Sequence, residues 1–536
     1  MQCTQQLRCP QMQMHRRPAS GAIRYGRLSC SPVAPCRRPL VKAPSSKPNP
    51  ASGTDLPTSY IVEPISFGED SVLECPEIRT KLTPRPSPFV VHNNFGGGFV
   101  SDNDRVALNS MRFASPESAG ASRAYFEPRV NGGAGAGGNS GAGGVSVLEA
   151  SMDQLNMTLP PWAMRAGARK EIFFDPTQVT AAIVTCGGLC PGLNDVVQGL
   201  VNKLTDYGVP EGKILGIKYG FRGFYDPAVK PVVLTKRTVD GIQLQGGTIL
   251  GTSRGGANIR EIVKRIDMWG IDMLFVVGGN GGNAGANAIN AMCRQHDVPC
   301  TVVGVPKSID NDILLIDKCF GFDTAVEESQ RALMAAKVEA SSARRGIGLV
   351  KLMGRQSGFI AMQASMASGV VDACLIPEVS FKLDGEVGLL RYLEGVIKAK
   401  GHCVVCVAEG AGQDLLEDGG QLGTDASGNP ILKDIGAFLK EKCKAYFKDA
   451  DIKYIDPSYM IRSVSTTTND RIYCKILAHN AVHAAFAGFT GITVGLVNTH
   501  YVYLPIPVII QAPRKVDPRG KAWNRLRAAI GQPSFQ

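Results

Sequence analysis

The chain has 536 residues, enough for more than one globular unit and a large core. Hydrophobic residues make up 44% and aromatics 7%, and no uninterrupted apolar run reaches the roughly 18 residues that a membrane-spanning helix needs, so no membrane partner is expected. The formal charge of +11 would suit nucleic acid, but residues 1–54 hold nine Lys/Arg and no Asp or Glu; the excess sits in the leader and no nucleic-acid partner is expected.

In that leader, scattered Arg is mixed with Ser, Ala and Pro, and the long apolar centre of a secretory signal is missing. The composition of residues 1–54 reads as an organelle transit peptide, with an ordinary disordered N-terminus as the plain alternative. Residues 55–160 read as low-complexity and loosely attached, and the glycine-rich stretch 132–144 as a flexible linker. The folded region is expected to begin near Pro161 and to extend to 510. The basic tail 511–536, with scattered charges and one Trp523, reads as a solvated end or a packing arm.

Fifteen cysteines do not imply disulfides here, because Cys3, Cys9, Cys30 and Cys36 lie in the leader and the others are spread through apolar segments. Cys403 and Cys406 have C-x-x-C spacing, yet HCVVCVAEG reads as a buried strand. Cys186 and Cys190 flank a glycine turn, where a thiol change could touch a bound phosphate.

From Val179 onward, short apolar runs alternate with helical stretches, the pattern of an α/β protein with a parallel sheet covered on both faces. Strands are expected at Thr180–Cys186, Met273–Val277, Thr301–Val305, Gly346–Leu352, Cys403–Ala408 and Ile492–Val497. Thr324 followed by Glu327 has capping-box spacing and predicts a helix running towards Ala343.

Four glycine-bearing turns punctuate this alternation, and each could bring backbone N–H groups to an anion. They are CGGLCPGLND with Gly187, Gly188 and Gly192, where Asn194 or Asp195 could cap the next helix; GGTILGTSRGG with Arg254 and Gly255; VVGGNGGNAGA with Gly278, Gly279, Gly281 and Gly282 around Asn280; and MGRQSG with Arg355. Each taken singly is compatible with a plain loop.

Between the strand at 301–305 and the helix from Thr324 lies PKSIDND. In doubly wound folds, connections at the carboxyl ends of strands form the binding crevice. A phosphoryl-transfer site is the chemical reading: Asp310 takes a proton from an attacking hydroxyl, while Asp312 and Mg2+ steady the moving phosphate. A polar turn is the bland one.

The ordered set of glycine turns, PKSIDND with its FGFDTAVE continuation, MGR, AEGAGQ and YMIRSV resembles the 6-phosphofructokinase family over roughly residues 170–500, most closely its long plant and algal ATP-dependent members. The resemblance implies two doubly wound, Rossmann-like lobes with the active site in the cleft between them: an ATP lobe at about 170–320, a sugar-phosphate lobe at about 321–455 and a returning segment at 456–510. It implies ATP phosphates on Gly188, Arg254, Gly255, Gly279, Asn280, Gly281 and Gly282. Asp310 is then the base for the 1-hydroxyl of fructose 6-phosphate, with Ser308, Ile309, Met353, Gly354, Arg355, Glu409, Tyr459, Met460, Ile461 and Arg462 around the sugar phosphate. A guanidinium suits that phosphate because its fork makes two parallel charge-assisted hydrogen bonds.

Gly281 favours ATP, because pyrophosphate users usually carry Asp there, although Lys307 is shared with them. The chain departs from the family at Gly278-Gly279-Asn280-Gly281-Gly282, where GGDGT is usual. Asn280 offers a carbonyl oxygen but no charge, so Mg2+ binding should weaken, with Asp312 the remaining metal ligand. An active ATP-dependent enzyme and a catalytically impaired subunit both fit that turn. The resemblance further implies a homo- or hetero-oligomer, and with the leader it implies a chloroplast address, a cytoplasmic one being the alternative. Residues 411–436 read as an exposed polar excursion.

Overall fold

Residues 181–185 are Ala-Ala-Ile-Val-Thr and all five are buried, so this strand needs cover on both faces, as the centre of a parallel sheet requires. The computed structural model describes residues 72–92, 98–108, 160–416, 423 and 431–536. The expected transit peptide and glycine-rich linker lie outside the described residues, as does most of the 417–430 part of the polar excursion.

Among the described residues two large sheets organise the fold, with a third, two-stranded one formed by Arg85–Pro86 and Glu171–Ile172. The larger has ten strands; its central order is His500–Pro505, Ile492–Val497, Thr301–Pro306, Met273–Gly278, Ala181–Thr185 and Ile214–Ile217. The pairs from 492–497 through 214–217 are parallel, while 500–505 returns antiparallel to 492–497. The smaller sheet runs Ala373–Leu375, Cys403–Ala408, Ile347–Leu352, Ile452–Ile455, all parallel. All six expected strands are present within a residue or so of their expected ends.

Strand order places the crevices. In the large sheet the chain leaves 181–185 for 214–217 on one side and then crosses to 273–278 on the other. In the small sheet 347–352 has 403–408 on one side and 452–455 on the other. Connections leaving neighbouring strands on opposite sides open a gap at their carboxyl ends, the switch point where ligands settle.

Three expectations change or narrow. The fold begins well before Pro161: Val72–Leu73 and Arg105–Ala107 both pair with the strand Trp162–Arg165, and Leu73 is wholly buried. Arg79 anchors this segment, donating from Nε to the Ala487 carbonyl at 2.6 Å while its guanidinium lies 4.2 Å from the Phe489 ring centre. The tail takes the packing-arm form of its two expected readings, not the solvated one. Its helix Lys521–Ile530 buries Trp523 and Leu526 against the small-sheet core, and Phe535 enters that lobe's second cluster.

Capping is the third change. The helix Phe322–Ser342 is capped by no side chain of its own first turn; buried Asp470, from the helix Thr468–Phe486, accepts from the N–H groups of Gly321 and Thr324 at 3.1 and 2.7 Å. Likewise, neither Asn194 nor Asp195 caps Leu193–Tyr207. Gly192 stands at that end with φ 102°, where a Cβ would meet Cys474 Sγ at 2.7 Å and the Phe320 ring at 2.8 Å. In the first place a tertiary acceptor replaced the local one; in the second a glycine turn closed by tertiary packing did.

Candidate active site

Both switch points face one site. At the large-sheet crevice the Gly187–Gly188 turn is laced to the Thr248–Arg254 turn: Gly187 N–H donates to Ser253 O at 3.0 Å and Thr252 Oγ1 to Gly187 O at 2.6 Å. Gly187 has φ 88° and lies beside the Lys307 ammonium, which is 3.6 Å from where a Cβ would stand. A Cβ on Gly188 would lie 3.4 Å from Arg254 Nη2 and 4.0 Å from Arg462 Nη1. Two guanidiniums and an ammonium thus converge on a turn whose backbone is bare, an arrangement suited to a polyanion.

The Gly278–Gly282 turn opens the helix Asn280–Gln295, with Gly279 at its N-cap and no side-chain cap. Buried Asn283 fastens the turn from behind, donating to the Gly278 and Gly279 carbonyls at 3.1 Å each. At Gly281 a Cβ would meet nothing within 4 Å, so the space above the helix end is open.

PKSIDND leaves Pro306 in a loop with two non-glycine residues at positive φ, Asn311 at 57° and Leu315 at 66°. Asn311 supports its own turn by accepting from Cys319 N–H at 2.8 Å. Ser308 donates to Asp312 Oδ1, and Asn280 Nδ2 donates to Asp312 Oδ2 at 3.2 Å. Asn280 Oδ1 is buried without a partner, and so is Asp310 Oδ1.

Asp310 is half-buried. Its carboxyl is raised to about 7, chiefly by burial, then by the charges of Asp312 and Glu409, with an opposing pull from the Arg355 backbone N–H and Lys307. Ser357 Oγ donates to its carbonyl at 3.0 Å. Glu409, at the end of Cys403–Ala408, is also raised by burial, against Arg355, Lys351 and Arg462. Its N–H reaches Leu352 O at 2.9 Å, tying it to the start of Met353-Gly354-Arg355. Gly354 has φ 133°, and a Cβ there would strike Ser357 O at 2.4 Å.

The short helix Ser458–Arg462 separates its residues by role. Tyr459 and Met460 are 77% and 74% exposed, whereas Ile461 is 1% exposed and belongs to the small-sheet core. Met353, 5% exposed, belongs to the same core. The side chains of Ile461 and Met353 are packing groups, and Arg462, held 4.9 Å over the Tyr459 ring, is the one facing Gly188. Ile309 packs against the principal clusters of both sheets, at the seam between them.

Tyr219 and Arg222 were not anticipated. Tyr219 sits at φ 59° with its ring against Gly251, and the Arg222 guanidinium flanks Gly256. Their signal, KYGFRGFYD, carries no motif by itself; only the folded chain sets it beside the Arg254 turn. Cys186 and Cys190 are both buried free thiols, pushed up to about 12 by burial, which disfavours the reactive thiolate. Cys403 and Cys406 are likewise buried in their strand.

A glycine turn lined by cations, a carboxyl raised to about neutrality and the Met353-Gly354-Arg355 turn of the other sheet make up a cleft suited to phosphoryl transfer. The profile of the family described as Phosphofructokinase matches residues 180–485, and the chain belongs to that family. It is 50% identical over 442 residues to ATP-dependent 6-phosphofructokinase 5, chloroplastic, of Arabidopsis thaliana, covering 82% of this chain and 76% of the relative. It is 45% identical over 379 residues to ATP-dependent 6-phosphofructokinase of Amycolatopsis methanolica, covering 69% and 82%. Among solved structures, pyrophosphate-dependent phosphofructokinase from Marinobacter aquaeolei superposes with TM-score 0.54 at 18% identity over 67% of this chain and 91% of that one, a likeness of fold. Among the described residues no helix is long and apolar enough to cross a membrane.

Proposed function

We propose that this chain transfers the γ-phosphoryl group of ATP to the 1-hydroxyl of fructose 6-phosphate, the activity named in its relatives of 45–50% identity. The observation that carries the site assignment is Asp310: a carboxylate with one buried, unpartnered oxygen, between the Lys307–Gly187 cradle and Glu409.

In this reading Gly188, Arg254, Gly255 and the Gly279–Gly282 turn hold the nucleotide phosphates, with Tyr219 and Arg222 at the mouth. Arg462 and Arg355 hold the 6-phosphate, and Glu409 holds sugar hydroxyls. Asp310 Oδ1, lacking a partner, accepts the proton of the 1-hydroxyl as that oxygen attacks. A carboxyl near 7 is half ionised at neutral pH and is a far stronger base than an ordinary aspartate. Lys307 and the guanidiniums balance the charge on the transferring group. Gly281 leaves the space open where a side chain would crowd a nucleotide, which supports ATP over pyrophosphate.

The donor set near Asp312 suits magnesium, since both neighbours are hard oxygens: the Asp312 carboxylate, and the Asn280 amide, whose buried Oδ1 has no partner. Rotating that amide by half a turn would exchange Nδ2 for Oδ1 beside Asp312. Asp312 and Asn280 would hold the ion together with substrate phosphates, and the ion would neutralise charge on those phosphates. A single carboxylate makes this a weak site.

A chloroplast address and an oligomeric assembly belong to the same reading, the first supported by the basic, acid-free leader and the chloroplastic names among the relatives. The test is direct: purified chain with fructose 6-phosphate and either ATP or pyrophosphate across a magnesium series. ATP-dependent turnover is expected. A wild type silent with both donors, regaining ATP turnover as Asn280→Asp, would establish the impaired-subunit reading instead. A fluorescent fusion of residues 1–60 that stays outside plastids would remove the address.

A further inference from the structure

The C-terminal arm reaches the catalytic loop. Pro513 bridges Ile313 in antiparallel fashion, and Arg514 N–H donates to the Asp312 carbonyl at 2.7 Å. The Arg514 guanidinium then donates from Nη1 to two carbonyls of the same loop, Ile316 at 3.0 Å and Asp317 at 2.8 Å, and lies 4.8 Å from the ring centre of Phe359. Phe359 begins the helix that follows Met353-Gly354-Arg355. Two residues beyond Arg514, Val516 N–H donates to Glu378 Oε1 at 2.7 Å, and Glu378 also accepts from Gly358 N–H at 3.0 Å. The arm therefore stitches the loop after Thr301–Pro306 to the turn at the small-sheet switch point.

We propose that Arg514 is a positioning residue for the reaction, holding the Asp310–Asp317 loop in its catalytic shape. The loop needs such support because Asn311 and Leu315 occupy the left-handed region, which for a residue with a γ-branched side chain such as Leu is unfavourable unless neighbours over-determine it. Three carbonyls of a six-residue stretch, at 312, 316 and 317, are satisfied by one residue. Loss of the guanidinium strips the Ile316 carbonyl of its donor, leaves that of Asp317 to the Asn311 amide 3.4 Å away, and lets the loop relax. Asp310 and Asp312 then lose their fixed separation while the sugar-phosphate arginines keep theirs. The role in catalysis rests on the proposed site; the hold on the loop does not.

The experiment compares wild type, Arg514→Ala and Arg514→Lys by steady-state kinetics and by hydrogen–deuterium exchange of the intact protein. For Arg514→Ala, kcat should fall roughly 10- to 100-fold with the fructose 6-phosphate KM within about threefold, and half-saturating magnesium should rise. Exchange over 311–319 should quicken at least about tenfold while 193–207 is unchanged. Lysine, with one donor head for two carbonyls, should fall between. Unchanged exchange over 311–319, or faster exchange with kcat retained, overturns the proposal. If the alanine variant does not fold, Arg514→Lys is scored by the same criteria. If wild type has no ATP-dependent activity, the proposed function fails, and the exchange arm still decides whether Arg514 holds the loop.

Discussion

The Asn280 side-chain amide donates to the Asp312 carboxylate across 3.2 Å, from the first residue of one helix to a loop 32 residues later. In place of a second carboxylate, the site has a neutral amide whose N–H side bonds Asp312 without any cation while its Oδ1 is left without a partner. Asn280→Asp removes that hydrogen bond and sets two like charges together, which a divalent cation relieves. The variant should need roughly 3- to 10-fold less magnesium for half-maximal rate and should be less thermostable in EDTA. Rates across a free-magnesium series and melting with and without EDTA check it; an unchanged magnesium requirement would separate Asn280 from the metal.

Asp310 has the other distinctive environment. Its folded value of about 7 exceeds the ordinary 3.8, so the native state holds a proton that the unfolded chain releases. Between those values the folded state binds more protons, and stability contributed by Asp310 is lost as pH rises through 7. Asp310→Asn should cut kcat by roughly 100- to 10,000-fold, yet raise the melting temperature at pH 8 and raise it clearly less at pH 5, part-way down the window between the two values. In wild type the acid limb of kcat/KM should break near pH 7. Equal thermal effects at both pH values would contradict the buried-carboxyl account.

Arg462 faces Gly188 from the segment that also packs on Gly246, where a Cβ would lie 1.8 Å from Ser463 O. Arg462→Ala removes a charge-assisted contact of about 1.5–3 kcal/mol, so the fructose 6-phosphate KM should rise roughly 10- to 100-fold. Gly246→Ala displaces Ser463 and should raise the same KM without any change in charge. Titration of fructose 6-phosphate at saturating ATP distinguishes these from a defect in kcat alone.

Gly281 stands in open space on a helix. Gly281→Asp should therefore fold with wild-type melting behaviour while the ATP KM rises at least about tenfold, the carboxylate repelling the nucleotide phosphates. A variant with undiminished ATP affinity would place the nucleotide elsewhere.

Trp523, 2% exposed, tests the arm as part of the core. Trp523→Ala should cost about 3–5 kcal/mol in a denaturant titration, more than a surface helix could lose. A loss under about 1 kcal/mol would mean the arm is only laid on the surface.

The six expected strands were legible because each is a short apolar run buried on both faces, and the loops between them announced themselves by glycine. The antiparallel return at His500–Pro505 was not, because its turn, Asn498-Thr499, takes positive φ at both residues without the glycine that usually signals it. The N-terminal strands were hidden for a different reason: Val72–Leu73 and Arg105–Ala107 are too short to show a period and exist by pairing with Trp162–Arg165. Capping failed as a local guide because Asp470, far along the chain, supplied the acceptor.

By itself the sequence determined the family, the alternating fold and the chemical types at the site, since these depend on runs of a few residues: PKSIDND, the glycine turns, MGR and YMIR. Tertiary structure decided which members of those motifs face one another. Arg462 meets Arg254 at Gly188, Asn280 meets Asp312, and Ile461 turns into the core, because strand order brings carboxyl ends from two sheets to one cleft. It also decided that Asp310 titrates near 7, a property set by burial and by Asp312 and Glu409 rather than by the aspartate's place in its motif, and that Arg514 reaches the catalytic loop from the far end of the chain.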